Sequence, residues 1–330
     1  MRQIFLISLF TILCISSLTY ATVEQLVILG GGPAGLTAAI FAGQGQCNPL
    51  VIEGELANGQ YASVYKIENF PGFPEGISGL ELNEKLRQQA KIFGSHFVSA
   101  DAVSIDLMVR PFHVTLSNGS EIEAQSLIVA TGASPRWLGL EFEQALIGKG
   151  ISANALVDGP QFLGKEVVVI GGADAAVEQA LIMSNYASKV TLVYRGRALN
   201  ASQYLQDRLF ANSKIEIILN SEATALLHKD RQQVTGIVFF DAINKSSFEV
   251  ACDGIFVATG RKPNTSLFQR QLALTDTGYV VTPLNGTATS IEGVFVAGDI
   301  AQYAYRKMVT SAASGCMAAL DVIRYLKEIK

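Results

Sequence analysis

Short runs of consecutive apolar residues, several of them followed at once by glycine, alternate with helix-like segments along the chain. Residues 25–29 form such a run, residues 30–35 are glycine-rich, and residues 36–42 continue as a helix of small side chains. A continuous apolar run predicts a strand buried on both faces of a parallel sheet. The next predicted strand, residues 50–53, ends in Glu53.

The same order of elements occurs a second time. Apolar runs at 167–170 and 190–194 flank a glycine-rich segment at 171–176 and a helical segment at 177–184, and runs at 127–132 and 255–260 both end in Ala-Thr-Gly. Each copy contains a predicted hairpin, at 112–124 with an Asn118-Gly119 turn and at 234–252. The pattern therefore predicts an α/β fold of two Rossmann-like, three-layer ββα nucleotide-binding domains. A last strand ending in Asp299 and a helix over about 309–327 follow.

The first glycine-rich segment, Gly30-Gly-Gly-Pro-Ala-Gly35, has the spacing of a dinucleotide-binding turn. Gly30 permits the tight turn, Gly32 lets the backbone approach a pyrophosphate, and Gly35 lets the helix pack against the strand. Glu53, 18 residues after Gly35, is placed to accept the hydroxyl groups of an adenosine ribose.

Composition excludes several classes of protein. Of 330 residues 49% are hydrophobic and the net charge is −4, so a basic surface for nucleic acid is not expected. Four cysteines exclude a scaffold built from disulfides, and the three histidines are too scattered to predict a metal site.

The first 21 residues differ from the rest. Arg2 is the only charged residue before Glu24, the middle of the segment is apolar, and Thr19-Tyr20-Ala21 fits a cleavage site. This predicts a Sec-type signal peptide ending at Ala21 and export to a periplasm or the medium. An uncleaved membrane anchor is the alternative, although the apolar run is short for a bilayer span.

The segments GGGPAG, ENFPGF, ATGA, GGADAA, ATGRKPNT, GVFVAGD and SGCMAALD occur in this order. Together they resemble the low-molecular-weight thioredoxin reductases, FAD- and NADPH-dependent members of the pyridine nucleotide–disulfide oxidoreductases. The resemblance implies an FAD-binding domain at 22–134 and 262–330, with an NAD(P)H-binding domain inserted at 135–261. It also implies a homodimer, and a rotation of the inserted domain that presents nicotinamide and dithiol to the flavin in turn.

The same resemblance assigns the FAD contacts to ten positions. They are Gly30, Gly32, Gly35, Glu53, Gln60, Asn69, Thr131, Gly298, Asp299 and Arg306.

The segment that departs most from the family is the redox-active one. Where the family has Cys-Ala-Thr-Cys-Asp-Gly, this chain has Asn154-Ala-Leu-Val157-Asp158-Gly. Neither asparagine nor valine forms the thiolate that attacks a disulfide or resolves a mixed disulfide. Asp158 then has no thiol to serve and is interpreted as a turn or cap residue, so ordinary thioredoxin reduction is not expected.

The second nucleotide site is also altered. Gly171 and Ala176 keep the spacing of the turn, but Ala173 stands in place of its second glycine. Of the family's basic segment Arg195 remains, with Arg197 close by, and these favour NADPH if a nicotinamide cofactor binds. The alternative is that both arginines are solvated surface charges.

Three hypotheses follow for function. The first is an oxidoreductase that passes electrons from NAD(P)H to FAD and then to oxygen, a quinone-like molecule, an external disulfide or a small redox protein. The second is a non-catalytic FAD-binding scaffold. The third is a thiol oxidase that acts on the cysteines of a partner.

Overall fold

The computed structural model describes residues 23–54, 67, 69–284, 286–301, 305 and 307–329. The predicted signal peptide or anchor and two predicted FAD contacts, Gln60 and Arg306, lie outside these residues. No helix within them is both long enough and apolar enough to cross a membrane.

The first part of the fold is a sheet of five parallel strands in the order β18-β7-β1-β2-β3. Its strands are short and mostly buried, which agrees with the continuous apolar runs in the sequence. A three-stranded antiparallel sheet, β4-β5-β6, follows β3. The bounds of these elements are β1 Val27–Leu29, α1 Pro33–Gln44, β2 Leu50–Ile52, α2 Gly79–Ile92, β3 His96–Val98, β4 Ala102–Asp106, β5 Phe112–Leu116, β6 Glu121–Ala124, β7 Leu127–Val129, β18 Val294–Val296 and α7 Met308–Glu328.

The second part repeats this plan. Five parallel strands have the order β12-β11-β10-β16-β9, and three antiparallel strands, β13-β14-β15, stand between β12 and β16 in sequence. The bounds are α3 Glu143–Leu146, β9 Ile151–Ser152, α4 Ala155–Asp158, β10 Glu166–Ile170, α5 Asp174–Met183, β11 Lys189–Val193, α6 Gln203–Phe210, β12 Ile215–Ile218, β13 Ser221–Lys229, β14 Gln233–Asp241, β15 Ser246–Ala251 and β16 Gly254–Val257. The predicted fold class is confirmed, and both predicted hairpins are antiparallel pairs.

A ribbon of two antiparallel strands lies where the chain leaves the first part and returns to it. It consists of β8, Ala133–Pro135, and β17, Arg261–Pro263. The strands of the first sheet come from chain segments on both sides of this ribbon, and those of the second sheet lie between its strands. The exact domain boundaries given above stay predictions.

Small residues bring helices α1 and α7 close together. A Cβ built on Gly315 of α7 would lie 2.1 Å from the carbonyl oxygen of Ala34, so only glycine fits there. Ala38 and Ala42 of α1 and Ala318 of α7 belong to the same buried cluster. This packing fixes the start of α1 relative to the first sheet. Helix α1 begins three residues earlier than the sequence predicted because Pro33 is suited to a first helical position.

Candidate functional site: two glycine-rich turns at the ends of two sheets

Each glycine of the first turn is required for a different physical reason. Gly30 has φ +121°, and a Cβ there would lie 2.4 Å from the carbonyl oxygen of Ala130. A Cβ on Gly35 would lie 1.9 Å from the carbonyl oxygen of Gly30, so this residue sets the distance between helix and turn. Gly32 has ordinary extended dihedrals, and a Cβ there would meet no atom within 4 Å. Gly30 and Gly35 therefore serve the fold, whereas Gly32 leaves space in front of the start of α1.

That space is part of a cavity of about 340 Å³ at the carboxyl ends of β1 and β7. The N–H groups of the first turn of α1 have no helical acceptor and carry the positive end of the helix dipole, which suits a phosphate. The residues that line the cavity are Gly30, Gly31, Gly32, Pro33, Ala34, Glu53, Ala130, Thr131, Gly132, Asn264, Gly298, Asp299 and Ser311. Six of the predicted FAD contacts are among them: Gly30, Gly32, Glu53, Thr131, Gly298 and Asp299.

Glu53 lines the cavity and is held by an arginine that the sequence did not point to. Arg87 of α2 donates from Nε to Oε1 of Glu53 at 2.9 Å and from Nη2 to Oε2 at 2.8 Å. The side chain of Glu53 is only 1% exposed. The Arg87 guanidinium also lies over the ring of Phe97, 4.9 Å from its centroid. Each carboxylate oxygen thus accepts one N–H from Arg87 and retains capacity for another donor.

Asp299 also lines the cavity. Ser311 in the first turn of α7 donates to Oδ1 of Asp299 at 3.3 Å, and the Gly298 N–H donates to Ser314 Oγ at 2.7 Å. Asp299 is 9% exposed. The residue is therefore oriented from α7, in a position that suits the hydroxyl groups of a ribityl chain.

Thr131 is held by Asn264, which sequence analysis did not select. Its hydroxyl donates to the Asn264 carbonyl oxygen at 2.9 Å, and Asn264 Nδ2 donates to the Thr131 carbonyl oxygen at 2.8 Å. The signal for Asn264 was present in the ATGRKPNT segment, but no role followed from it. Asn69 is exposed and does not line the cavity.

The first site fits FAD. Open space at Gly32 faces a helix start that binds phosphate, and acidic acceptors stand at Glu53 and Asp299. This combination matches the diphosphate and the two hydroxyl-bearing chains of a flavin dinucleotide.

The turn of the second sheet keeps the backbone features of the first. Gly171 has φ +148°, and a Cβ there would lie 2.5 Å from the Ala258 carbonyl oxygen and 2.8 Å from Ala176 Cβ. Ala173 precedes α5 with φ −100° and ψ 177°, and it is exposed. It corresponds to Gly32, so its methyl group occupies the side that is open in the first turn.

The residue after the second strand also differs between the two copies. In the first copy a Cβ on Gly31 would meet Glu53, and in the second a Cβ on Gly172 would lie 2.4 Å from the ring of Tyr194. A Cβ on Gly196 would lie 2.4 Å from Cε1 of the same ring. The ring of Tyr194 thus lies against Gly172 and Gly196. The corresponding residue of the first copy is Glu53, whose carboxylate could bind a ribose.

The candidate cations of the second site, Arg195 and Arg197, are exposed. Arg195 pairs with Glu222 at 3.8 Å, and both side chains are open to water. The segment after them packs back on the turn, because the Asn200 N–H donates to the Gly172 carbonyl oxygen at 2.7 Å. Asp174 Oδ1 accepts the Ser202 N–H at 2.6 Å. The second site thus retains its backbone but offers a dinucleotide fewer specific contacts than the first.

The segment at the family's dithiol positions is a short helical turn that faces the first part of the fold. Asn154 precedes α4, and Val157 is only 4% exposed. Val157 belongs to an apolar cluster whose other buried members, Ile67, Ile77, Leu82 and Met308, all come from the first part. We call these five residues the junction cluster.

Asp158 of this turn accepts two side-chain hydrogen bonds. Its Oδ2 accepts the Ser152 hydroxyl at 2.5 Å and its Oδ1 accepts Gln161 Nε2 at 3.2 Å, while Ser152 Oγ also accepts the Asn154 N–H. Burial raises the pKa of the Asp158 carboxyl, and the Ser152 hydrogen bond opposes that shift. These contacts match the expected role as a turn residue.

No thiol lies in this turn. The cysteines of the chain are at positions 14, 47, 252 and 316, so no two are close in sequence. Cys47 and Cys252 are buried, and burial raises the pKa of Cys252 to about 12, which makes it a poor nucleophile. Among the described residues no group of histidine, cysteine or acidic side chains is placed to hold a metal ion.

Two parallel sheets in one chain, each with a glycine-rich turn at the carboxyl end of its strands, define a dinucleotide-dependent oxidoreductase with two nucleotide sites. A family model described as pyridine nucleotide-disulphide oxidoreductase matches residues 24–315. The chain belongs to this family and, within it, to the low-molecular-weight thioredoxin reductases, which use FAD and NADPH.

Individual relatives agree with this assignment. The chain is 42% identical over 305 residues to a thioredoxin reductase of Rickettsia prowazekii. The alignment covers 92% of this chain and 98% of the relative. A Lactococcus lactis thioredoxin reductase in the FR conformation has a TM-score of 0.76 at 29% identity, covering 92% of this chain and 99% of that one. A glucosaminate ammonia-lyase of Pseudomonas fluorescens is 43% identical over 311 residues, covering 92% and 96%. Identity at this level therefore does not fix the reaction.

Proposed function

We propose that this flavoprotein passes electrons from a nicotinamide dinucleotide through FAD to an acceptor outside the chain. The observation that carries the proposal is the combination of a first site lined by six of the predicted FAD contacts with a turn at 154–158 that holds no thiol. FAD held by these residues would supply two-electron redox chemistry between a nicotinamide dinucleotide and the acceptor.

The residues of the first site bind and orient the cofactor in this proposal. The N–H groups at the start of α1 bind the diphosphate, Glu53 accepts the adenosine ribose hydroxyls, and Asp299 accepts hydroxyls of the ribityl chain. Val157 and the rest of the junction cluster exclude water between the two parts of the fold. The acceptor is oxygen, a quinone-like molecule, an external disulfide or a small redox protein.

An anaerobic titration of purified residues 22–330 with NADPH, and separately with NADH, tests the proposal through the flavin absorbance band. Bleaching at stoichiometric dinucleotide supports it, and reoxidation by each acceptor class then identifies the electron exit. A yellow protein that dithionite reduces but neither dinucleotide reduces would refute it.

A non-catalytic FAD scaffold is the second candidate, and the methyl group of Ala173 favours it. A thiol oxidase acting on a partner's cysteines would instead be reduced by a dithiol without nicotinamide. The same titration with a dithiol peptide separates the two, because a scaffold is reduced by neither donor.

We also propose that the mature chain begins after Ala21 and is exported. The support is the apolar segment before Ala21 and the small residues at the cleavage position. N-terminal sequencing of protein recovered from the native cell tests it. A protein that retains residues 1–21 in the membrane fraction would indicate the anchor instead.

A homodimer is proposed on the basis of family membership and one exposed face of α7. Val309, Met317 and Leu320 are exposed large apolar residues at helical spacing, on the side away from α1. Light scattering should give twice the monomer mass, and Met317→Glu should lower it towards the monomer.

A further inference from the structure

At the first site a buried ion pair joins Glu53 to a residue that no motif includes. This residue is Arg87 of α2, which follows Glu53 by 34 residues in the chain. Both of its contacts are short, and the Glu53 side chain is almost completely withdrawn from water. A bidentate arginine–carboxylate pair fixes the plane as well as the position of the carboxylate.

The pair leaves the carboxylate suited to one kind of ligand. Each oxygen accepts one N–H from Arg87 and has one further acceptor position, and Glu53 lines the cavity. Two neighbouring acceptors on a rigid carboxylate match two hydroxyl groups on adjacent carbons. The cis-diol of a ribose presents two such donors.

The position of Arg87 is itself restrained. Its guanidinium lies over Phe97 of β3, 4.9 Å from the ring centroid. An arginine stacked on an aromatic ring and bound on its donor edge has little rotational freedom. A lysine would provide one point charge without the planar fork.

We propose that Arg87 is the positioning residue for recognition of the adenosine ribose, acting through Glu53. This inference rests on FAD binding at the first site and does not depend on which acceptor takes the electrons. Arg87 does not itself line the cavity, so its effect on the ligand is transmitted by the carboxylate.

The test compares FAD, FMN and an FAD analogue with 2′-deoxyadenosine, binding to apoprotein followed by flavin fluorescence. Arg87→Lys should weaken FAD about 10-fold or more, leave FMN within about twofold, and remove most of the preference for FAD over the deoxy analogue. Lys91→Met is the matched control. Lys91 lies on the same helix, 5.8 Å from the same Phe97 ring, whereas Glu53 pairs with Arg87. This variant should bind all three ligands like the parent.

A double-mutant cycle with Glu53→Gln separates positioning from a merely structural role. If Arg87 acts through Glu53, its loss costs little FAD affinity once Glu53 is glutamine. Equal weakening of FAD and FMN by Arg87→Lys would overturn the proposal, as would an unchanged preference for FAD over the deoxy analogue. Arg87→Met leaves a buried carboxylate unpaired and risks misfolding, so the conclusion rests on the lysine variant.

These outcomes are independent of the titration with dinucleotides. A parent protein that binds FAD but is not reduced by NADPH or NADH fails the proposed function and still tests Arg87. A parent protein that binds no FAD refutes both.

Discussion

Replacing Gly32 with alanine tests the cofactor site directly. The added methyl group would enter the space expected to hold the ligand, and it would not clash with the protein. Gly32 has a φ of −85° and a ψ of −177°, which are allowed for any residue, and an added Cβ meets no atom within 4 Å. The folded apoprotein should therefore tolerate Gly32→Ala, and the smaller entropy of the unfolded chain should stabilise it by about 0.4–1 kcal/mol.

The bound cofactor should not tolerate the same change. The new methyl group fills space in front of the N–H groups that are proposed to bind the diphosphate. Losing one charge-assisted hydrogen bond costs about 1.5–3 kcal/mol. At about 1.4 kcal/mol per tenfold, FAD affinity should fall by roughly 10- to 150-fold.

Gly35→Ala is the contrasting variant. A Cβ there would lie 1.9 Å from the Gly30 carbonyl oxygen, so the apoprotein itself should lose stability. Thermal unfolding of apoprotein and fluorescence titration with FAD measure the two effects separately. Unchanged FAD affinity in Gly32→Ala, or a fall in its apoprotein Tm, would refute the assignment of this space to the diphosphate.

Three further predictions concern the second part of the fold. Ala173→Gly removes the methyl group from the second turn. In equilibrium titrations this variant should bind NADPH several-fold more tightly than the parent, while its FAD affinity stays the same. Equal NADPH affinity in variant and parent would show that the methyl group does not limit this site. Val157→Ala deletes two buried carbons from the junction cluster and should lower the free energy of unfolding by about 1.5 kcal/mol or more in urea, whereas Leu156→Ala, at an exposed neighbour, should change it little. Asp158→Asn should raise the Tm near neutral pH. Burial raises the pKa of Asp158, so the wild type loses stability as the pH rises above 3.8, the ordinary pKa of an aspartate. That advantage should vanish below this pH, where the carboxyl is protonated in both states, and a constant difference at all pH values would contradict the burial argument.

The Arg87–Glu53 pair and the junction cluster lay beyond the reach of sequence reasoning. Arg87 is an ordinary arginine on an amphipathic helix, and nothing in its neighbourhood distinguishes it from Lys91. Thr131 and Asn264 are 133 residues apart and meet only because β8 and β17 pair. Such contacts depend on the path of the backbone between the two residues, which local patterns do not specify.

By itself the sequence determined the repeated strand–turn–helix plan, the first dinucleotide site and the absence of a dithiol. These features are local: apolar runs predict buried parallel strands, and the glycine spacing reflects demands of a few neighbouring backbone atoms. Only the tertiary structure decided that Arg87 binds Glu53 and that Val157 packs in the junction cluster. It also decided that the methyl group of Ala173 lies on the side that is open at Gly32. Those properties arise where separate elements pack together, and packing is set by the whole chain.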